Sequence, residues 1–254
     1  MGAGMLRSLR RAGLDARGYD IRPLPDIGTD PEVFAAGLTH LISVVRDEPQ
    51  TDDLLFGAGN VIALAPGLRT ITISSTISPR YVRALRVRIP AHIALIDAPM
   101  SGAQAKAEDG TLSFMLGGED ADITTLMPAF EAMGSTLNQI GPLGAGMTAK
   151  VMNNMIAAAS LAATRLALDW ADAAGLDEAK MLEVFNSSSG QTWISSGIDT
   201  VEFARHGYEP DNSVGLLVKD VAAAMDAAPE GADLALPKQL QAQIKQIVPR
   251  PKQR

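Results

Sequence analysis

The stretch MTAKVMNNMIAAASLAATRLALDWADAAG, from Met147 to Gly175, constrains the fold of this chain more than any other. It holds no proline, is built almost wholly from strong helix formers and stops at a glycine, so it reads as one long helix. Beyond it, DEAKMLEVFN, the stretch after Gln191, GLLVKDVAAAMDAA and LPKQLQAQIKQIV read as further helices, and no alternating strand pattern returns. The C-terminal half is expected to be all-α. Ahead of the long helix, short β-like runs alternate with helical stretches. HLISVV (40–45), TITISS (70–75), AHIALID (91–97) and TLSFML (111–116) read as strands, and 80–86 and 120–133 as helices, with Pro66-Gly67 and Asp109-Gly110 as turn signals. This alternation predicts an α/β domain with a doubly wound sheet. The change of character puts the boundary near residue 142, giving domains 1–142 and 143–254, with Gly141, Pro142, Gly144 and Gly146 as a flexible joint before the long helix.

Composition removes several function classes. Cysteine is absent, which excludes disulfides, thiolate nucleophiles and cysteine-ligated zinc. His40, His92 and His206 fall in different elements, so neither a Ser-His-Asp triad nor a helical metal pair is suggested, and no metal is expected. A net charge of -7 argues against general nucleic-acid affinity. The basic run Arg7 to Arg17 reads as the solvated face of a helix. No uninterrupted apolar run has membrane-spanning length, and the opening lacks the layout of a signal peptide. A soluble cytoplasmic protein without membrane or nucleic-acid partners is expected.

The chain opens with MGAGMLRSLRRAGLDARGYDIRP. Small residues begin a helix, Gly13 ends it, a short strand follows, and Asp20 sits at that strand's tip. This is the layout of the second part of a dinucleotide-binding unit, in which a helix N-terminus holds the pyrophosphate and a later carboxylate accepts hydrogen bonds from the ribose hydroxyls. Asp20 would repel a 2′-phosphate and so favours NAD, whereas Arg22 could receive one and keeps NADP open. Taken alone, Gly2-Ala3-Gly4 fits a small-residue packing face equally well, and Asp20 a capped turn.

Read in order, MGAGM, ISSTISP (73–79), DAPMSGAQAKAEDGTLSFMLGG (97–118), GAGMTAKVMNN (144–154) and LLVKD (216–220) resemble the β-hydroxyacid dehydrogenases, which include 3-hydroxyisobutyrate dehydrogenase and tartronate semialdehyde reductase. The resemblance covers nearly the whole chain. It implies a Rossmann-like domain followed by a helical domain, and NAD(P)-dependent interconversion of a small 3-hydroxyacid with its semialdehyde or ketone. It further implies that Lys150 is the general acid/base, that Asn154 orients it and the substrate, and that Ser101, Gly102 and Ala103 bind the substrate carboxylate. Met1, Gly2, Asp20, Arg22, Val45, Thr76 and Lys219 would line the cofactor. Lys150 and Asn154, four apart in one helix, project from the same face, toward an interdomain cleft in this family. A helix N-terminus and burial both disfavour a cation, so the lysine pKa is expected to fall toward neutrality, although a helical lysine is ordinarily a solvated surface residue. Ser101 and Gly102 should present free backbone amides at a loop. A homodimer or homotetramer is expected.

Three departures carry consequences. Ala103 stands where the family usually has a second glycine. Asn153-Asn154 follows the lysine where 6-phosphogluconate dehydrogenases have His-Asn, which argues against a sugar phosphate, and the lysine itself argues against an imine reductase. Met1 aligns just before the last glycine of the phosphate loop, so the first, central strand is not represented, and both of its neighbours should be left with unpaired backbone groups. The alternative to an active dehydrogenase is therefore a truncated or cofactor-free relative that keeps the fold as an interaction protein. The final PRPKQR reads as a frayed tail.

Overall fold

Short β-branched runs become strands in the computed structural model, which describes residues 1–252. The strands are β1 (His40–Ser43), β2 (Thr70–Ile73), β3 (Ala94–Asp97), β4 (Met100–Ser101), β5 (Leu112–Gly117) and β6 (Gly134–Gly141). They form one sheet in the order β1-β2-β3-β5-β4, with β6 pairing β5. The first three run parallel in continuous register from His40↔Thr70 to Ile73↔Asp97; β5 is antiparallel to β3 and β4, and β6 is parallel to β5. Strands β4 and β6 were not expected from the sequence. The chain divides into two compact units, Met1–Lys150 and a second from Val151 onward.

In the first unit the sheet is covered on both faces, as alternating side chains require. Leu41, Ile71, Ile73 and Leu95 join one core, and Ile96, Leu112, Phe114 and Leu116 the other. The covering helices are α1 (Gly2–Arg11), α2 (Pro31–Ala35), α3 (Glu48–Phe56), α4 (Val61–Leu64), α5 (Pro79–Arg88), α6 (Ala103–Asp109) and α7 (Asp120–Met133). Three of them start by the same device. Asp30, Asp47 and Ser78 cap α2, α3 and α5 with side-chain oxygens, and a proline occupies the first or second helical position, where its missing N–H costs nothing.

The segment through Asp20 is not a strand. Tyr19 makes an isolated bridge with Gly28 and lays its ring on Phe34 at 5.4 Å, outside the sheet. A strand needs a ladder partner, and among the described residues β1 pairs only with β2; its other edge carries no strand. Strand β1 is thus a sheet edge, and the Asp20 segment is loop. The basic run is exposed as expected, Arg7, Arg10, Arg11 and Arg17 all facing solvent, and two of these arginines also make contacts with α6. Arg7 pairs with Glu108, and Arg11 donates to the Ser8 hydroxyl at 2.9 Å and to the Glu108 carbonyl at 2.7 Å, so α1 is fastened to the C-terminal end of α6.

The long run forms α8 (Ala145–Ala173), which begins in the first unit and continues through the second. Gly175, at φ +74°, ends it, with the Leu176 N–H returning to the Ala171 carbonyl. By length and hydropathy α8 could cross a membrane. Its buried residues nonetheless include Ala158, Leu161 and Leu168 in the helical core, together with Thr164 and Arg165. That core is closed by α9 (Glu178–Ser187), α10 (Trp193–Gly197), α11 (Ser213–Asp226) and α12 (Ala235–Ile244).

The tail is anchored rather than frayed. Arg250 is 7% exposed and its guanidinium meets Glu178 at 2.6 Å, Asp169 at 2.7 Å and Asp172 at 2.8 Å. Glu178, also buried, takes a second bond from Arg205 at 2.7 Å. These partners come from α8 and α9, so their pull on the tail is invisible in its own composition. Gln253 and Arg254, at the end of the expected frayed tail, lie outside the described residues.

Candidate active site

Three residues link β3 to Ser101, and both ends of that link grip the start of α8. At one end Asp97, fully buried at the tip of β3, accepts the Gly144 N–H on Oδ1 at 2.6 Å and the Met147 N–H on Oδ2 at 2.5 Å. At the other, Ser101 Oγ accepts from Lys150 Nζ at 2.9 Å. Lys150 is 7% exposed. The first turn of α8 sits directly on the end of β5. A methyl group on Gly146 would overlap the Met115 carbonyl, and one on Gly117 would come within 2.8 Å of the Gly146 nitrogen. Gly146, expected in a flexible joint ahead of the helix, is therefore inside it and is small for close approach.

Burial pushes the Asp97 carboxyl up to about 6, against the pull of the two amides and of Arg83 on α5. Its charge stands at a helix N-terminus, where a carboxylate is favoured. Gly144, just before α8, has no side chain with which to cap it, so Asp97 supplies the cap from a distant strand.

Ser101 does not lie in a loop as expected. It ends β4, opposite Ser113 of β5, and Gly102 turns the chain at φ +138° into α6. Ala103 follows at φ +56°, in the left-handed region that suits glycine. The departure noted in the sequence thus falls on a position whose backbone conformation favours the missing glycine.

In the second unit, Asn154 and Asp220 are both buried, and Asn154 Nδ2 donates to Asp220 Oδ2 at 2.6 Å. Lys219 Nζ reaches the other oxygen at 2.8 Å. Asp220 was missed as a site residue, although it closes the LLVKD motif. Asp97, which opens the DAPMSG motif, was missed too. In both cases the useful signal was an acid inside a motif that also holds a polar candidate.

The cofactor candidates of the first unit divide into two groups. Val45 and Thr76 follow the carboxyl ends of the neighbouring parallel strands β1 and β2, and Gly2 lies against Val44, whose Cβ a side chain on Gly2 would meet at 3.6 Å, so these gather at one end of the sheet. No side chain caps α1, which starts after Met1. The hydroxyls of Ser43, Ser74 and Ser75 at the same end are buried without a hydrogen-bond partner. Unsatisfied buried hydroxyls at the carboxyl ends of parallel strands suit a polar ligand, so the residues present there fit a dinucleotide. Asp20 and Arg22 lie in the loop and are occupied with each other, at 2.9–3.2 Å over three hydrogen bonds. Hydrogen bonds from Arg22 hold the Asp20 carboxyl below its ordinary range. Among the described residues no acid or histidine cluster could hold a metal ion.

Residues 1–141 match the family model of the NAD-binding domain of 6-phosphogluconate dehydrogenase. Residues 144–253 match that described as NAD-binding of NADP-dependent 3-hydroxyisobutyrate dehydrogenase. The chain is 31% identical to an L-threonate dehydrogenase of Pectobacterium atrosepticum, covering 90% of this chain and 79% of the relative. It is 30% identical to a 3-hydroxyisobutyrate dehydrogenase of Pseudomonas aeruginosa, covering 89% and 81%. Among solved structures, 3-hydroxyisobutyrate dehydrogenase of Salmonella typhimurium superposes with a TM-score of 0.80 at 26% identity, covering 96% of this chain and 89% of that one.

Proposed function

The chain belongs to the β-hydroxyacid dehydrogenase family, and from that premise we propose that Lys150 is its acid/base in interconverting a small 3-hydroxyacid with the matching semialdehyde or ketone. It is a nicotinamide-dependent oxidoreductase acting on a CH–OH group. When bound, the cofactor takes or returns hydride at the carbinol carbon. Lys150 Nζ takes the hydroxyl proton in oxidation and returns it to the carbonyl oxygen in reduction. The observation that carries this reading is the bond from buried Lys150 to Ser101. Because Ser101 Oγ accepts from the lysine, its own O–H is directed to the substrate carboxylate, with Gly102 and Ala103 shaping the turn beside it. Asn154, one helical turn beyond Lys150, is fixed by Asp220 and orients the substrate oxygen. Lys219 Nζ is held by the same acid.

We assign NAD as the cofactor, because an Asp20 held ionised by Arg22 accepts ribose hydroxyls and repels a 2′-phosphate. We also propose a homodimer. On α8, Ile156, Ala159, Ala163, Leu166 and Trp170 recur at alternating three- and four-residue spacing, and all are exposed, Trp170 by 70%. That is the spacing of a helix–helix seam. The test is titration with NADH and NADPH, turnover on a panel of 3-hydroxyacids, and comparison with Lys150→Ala. The variant should bind NADH as the parent does and lose about 10²- to 10⁴-fold in kcat. Turnover within a few-fold of the parent would refute the role of Lys150. Light scattering of Trp170→Glu should read monomer where the parent reads dimer.

A further inference from the structure

The link Asp97–Ser101 and the first turn of α8 close a circuit of contacts. Asp97 holds the amides of Gly144 and Met147; Lys150, three residues beyond Met147, returns its amine to Ser101. The backbone from Asp97 to Ser101 completes the loop. Any rotation or lift of the first turn of α8 must break either the Asp97 bonds or the Lys150–Ser101 bond. Gly117 and Gly146 let the turn slide in close without fixing its rotation.

We propose that Asp97 is a positioning residue for Lys150, its ionised carboxylate setting the rotation of α8 that aims the amine at Ser101 and the reacting oxygen. The proposal rests on the catalytic reading of Lys150 given above. A neutral acid is a weaker acceptor than a carboxylate and offers one oxygen as a donor, so protonation would break one of the two amide bonds. Burial has moved that protonation into the mildly acidic range, about 6. The charged group acting on the carboxyl from the packed elements is Arg83 of α5; β5 offers Gly117, and α8 offers backbone amides. The enzyme should therefore carry an acid limb in kcat that belongs to Asp97 rather than to the lysine.

Two variants and two readouts test this. Asp97→Asn keeps the shape, loses the charge and presents an N–H to one of the two amides. It should lower kcat about 10- to 100-fold, the range of a misplaced catalytic group, while KM and NADH binding change less than about threefold. The acid limb near 6 should disappear. Arg83→Gln retains Asp97 but removes the cation that favours its ionisation, so the limb should move to higher pH. The second readout is hydrogen exchange of the 142–150 peptide, which needs no turnover. After correction for intrinsic rates, protection at pH 7.5 should be lower in Asp97→Asn than in the parent. An Asn variant with parental kcat and acid limb, a limb unmoved in Arg83→Gln, or parental protection in Asp97→Asn would each overturn the proposal. If no 3-hydroxyacid turns over but exchange behaves as described, the clamp stands and the assignment of the reaction fails.

Discussion

Replacing Arg250 by Ala removes the one residue that ties the chain's last described segment to two helices. Of its three ion pairs, those to Asp169 and Asp172 involve carboxylates whose side chains are 53% and 34% exposed, and each is worth at most about 0.5 kcal/mol. The pair with Glu178 is different, because the two side chains are 8% and 6% exposed. Removing one partner of a buried pair costs about 3–5 kcal/mol, since the other charge stays buried. Arg205 still holds the other oxygen of Glu178, so the lower end applies and the total is about 3 kcal/mol. If the whole chain melts as one cooperative unit, that lowers Tm by about 6 °C; if the helical unit melts alone, its smaller unfolding entropy makes the drop about 14 °C. Scanning calorimetry at fixed pH reads both the shift and the number of transitions. Arg250→Lys should recover only part of the loss, because an ammonium cannot make the three-way fork. A Tm within 1 °C of the parent would refute the reasoning, since it would mean that Glu178 is as well satisfied by Arg205 and water as by Arg250.

Ala103→Gly should stabilise the chain by up to about 1 kcal/mol in urea unfolding, because a left-handed alanine pays a steric cost that glycine does not. A destabilised variant would show that the methyl group earns its place by packing. The stability of the parent should also depend on pH through Asp97. Its folded value of about 6 lies above the unfolded one, so the folded chain binds the proton more tightly. This contribution is present in full below about pH 4 and is lost as pH rises through 6, up to about 3 kcal/mol. Relative to Asp97→Asn, the parent should therefore lose stability between pH 4 and pH 7; parallel curves would contradict the burial argument.

What the sequence reveals follows the range of the interactions involved. The long helix, four of the strands and the lysine motif are legible because periodicity and local motif carry them. Strand β6 is not, because Ser135, Thr136, Asn138 and Gln139 are exposed and polar, and only pairing with β5 makes the segment a strand. Strand β4 is two residues long and is defined wholly by its partner. The segment at Asp20 shows the reverse case, a strand-like run left as loop for lack of a ladder. Asp97, Asp220 and Arg250 escaped notice for a related reason. Their partners lie 47 to 81 residues away, so an isolated charged residue looks like a surface residue until the fold delivers an amide to the acids and carboxylates to the arginine.

The contact of Gly146 with Met115 and Gly117 is main chain against main chain. The height of Lys150 above the sheet is consequently set by peptide geometry, which no exchange of side chains elsewhere in the unit can retune. Diversification toward bulkier or smaller acids has to happen across from it, along the turn that begins at Gly102. There Ala103 already carries a methyl in the left-handed region. Directed evolution of substrate range should therefore concentrate its library on residues 101–106 and leave the glycines under α8 untouched.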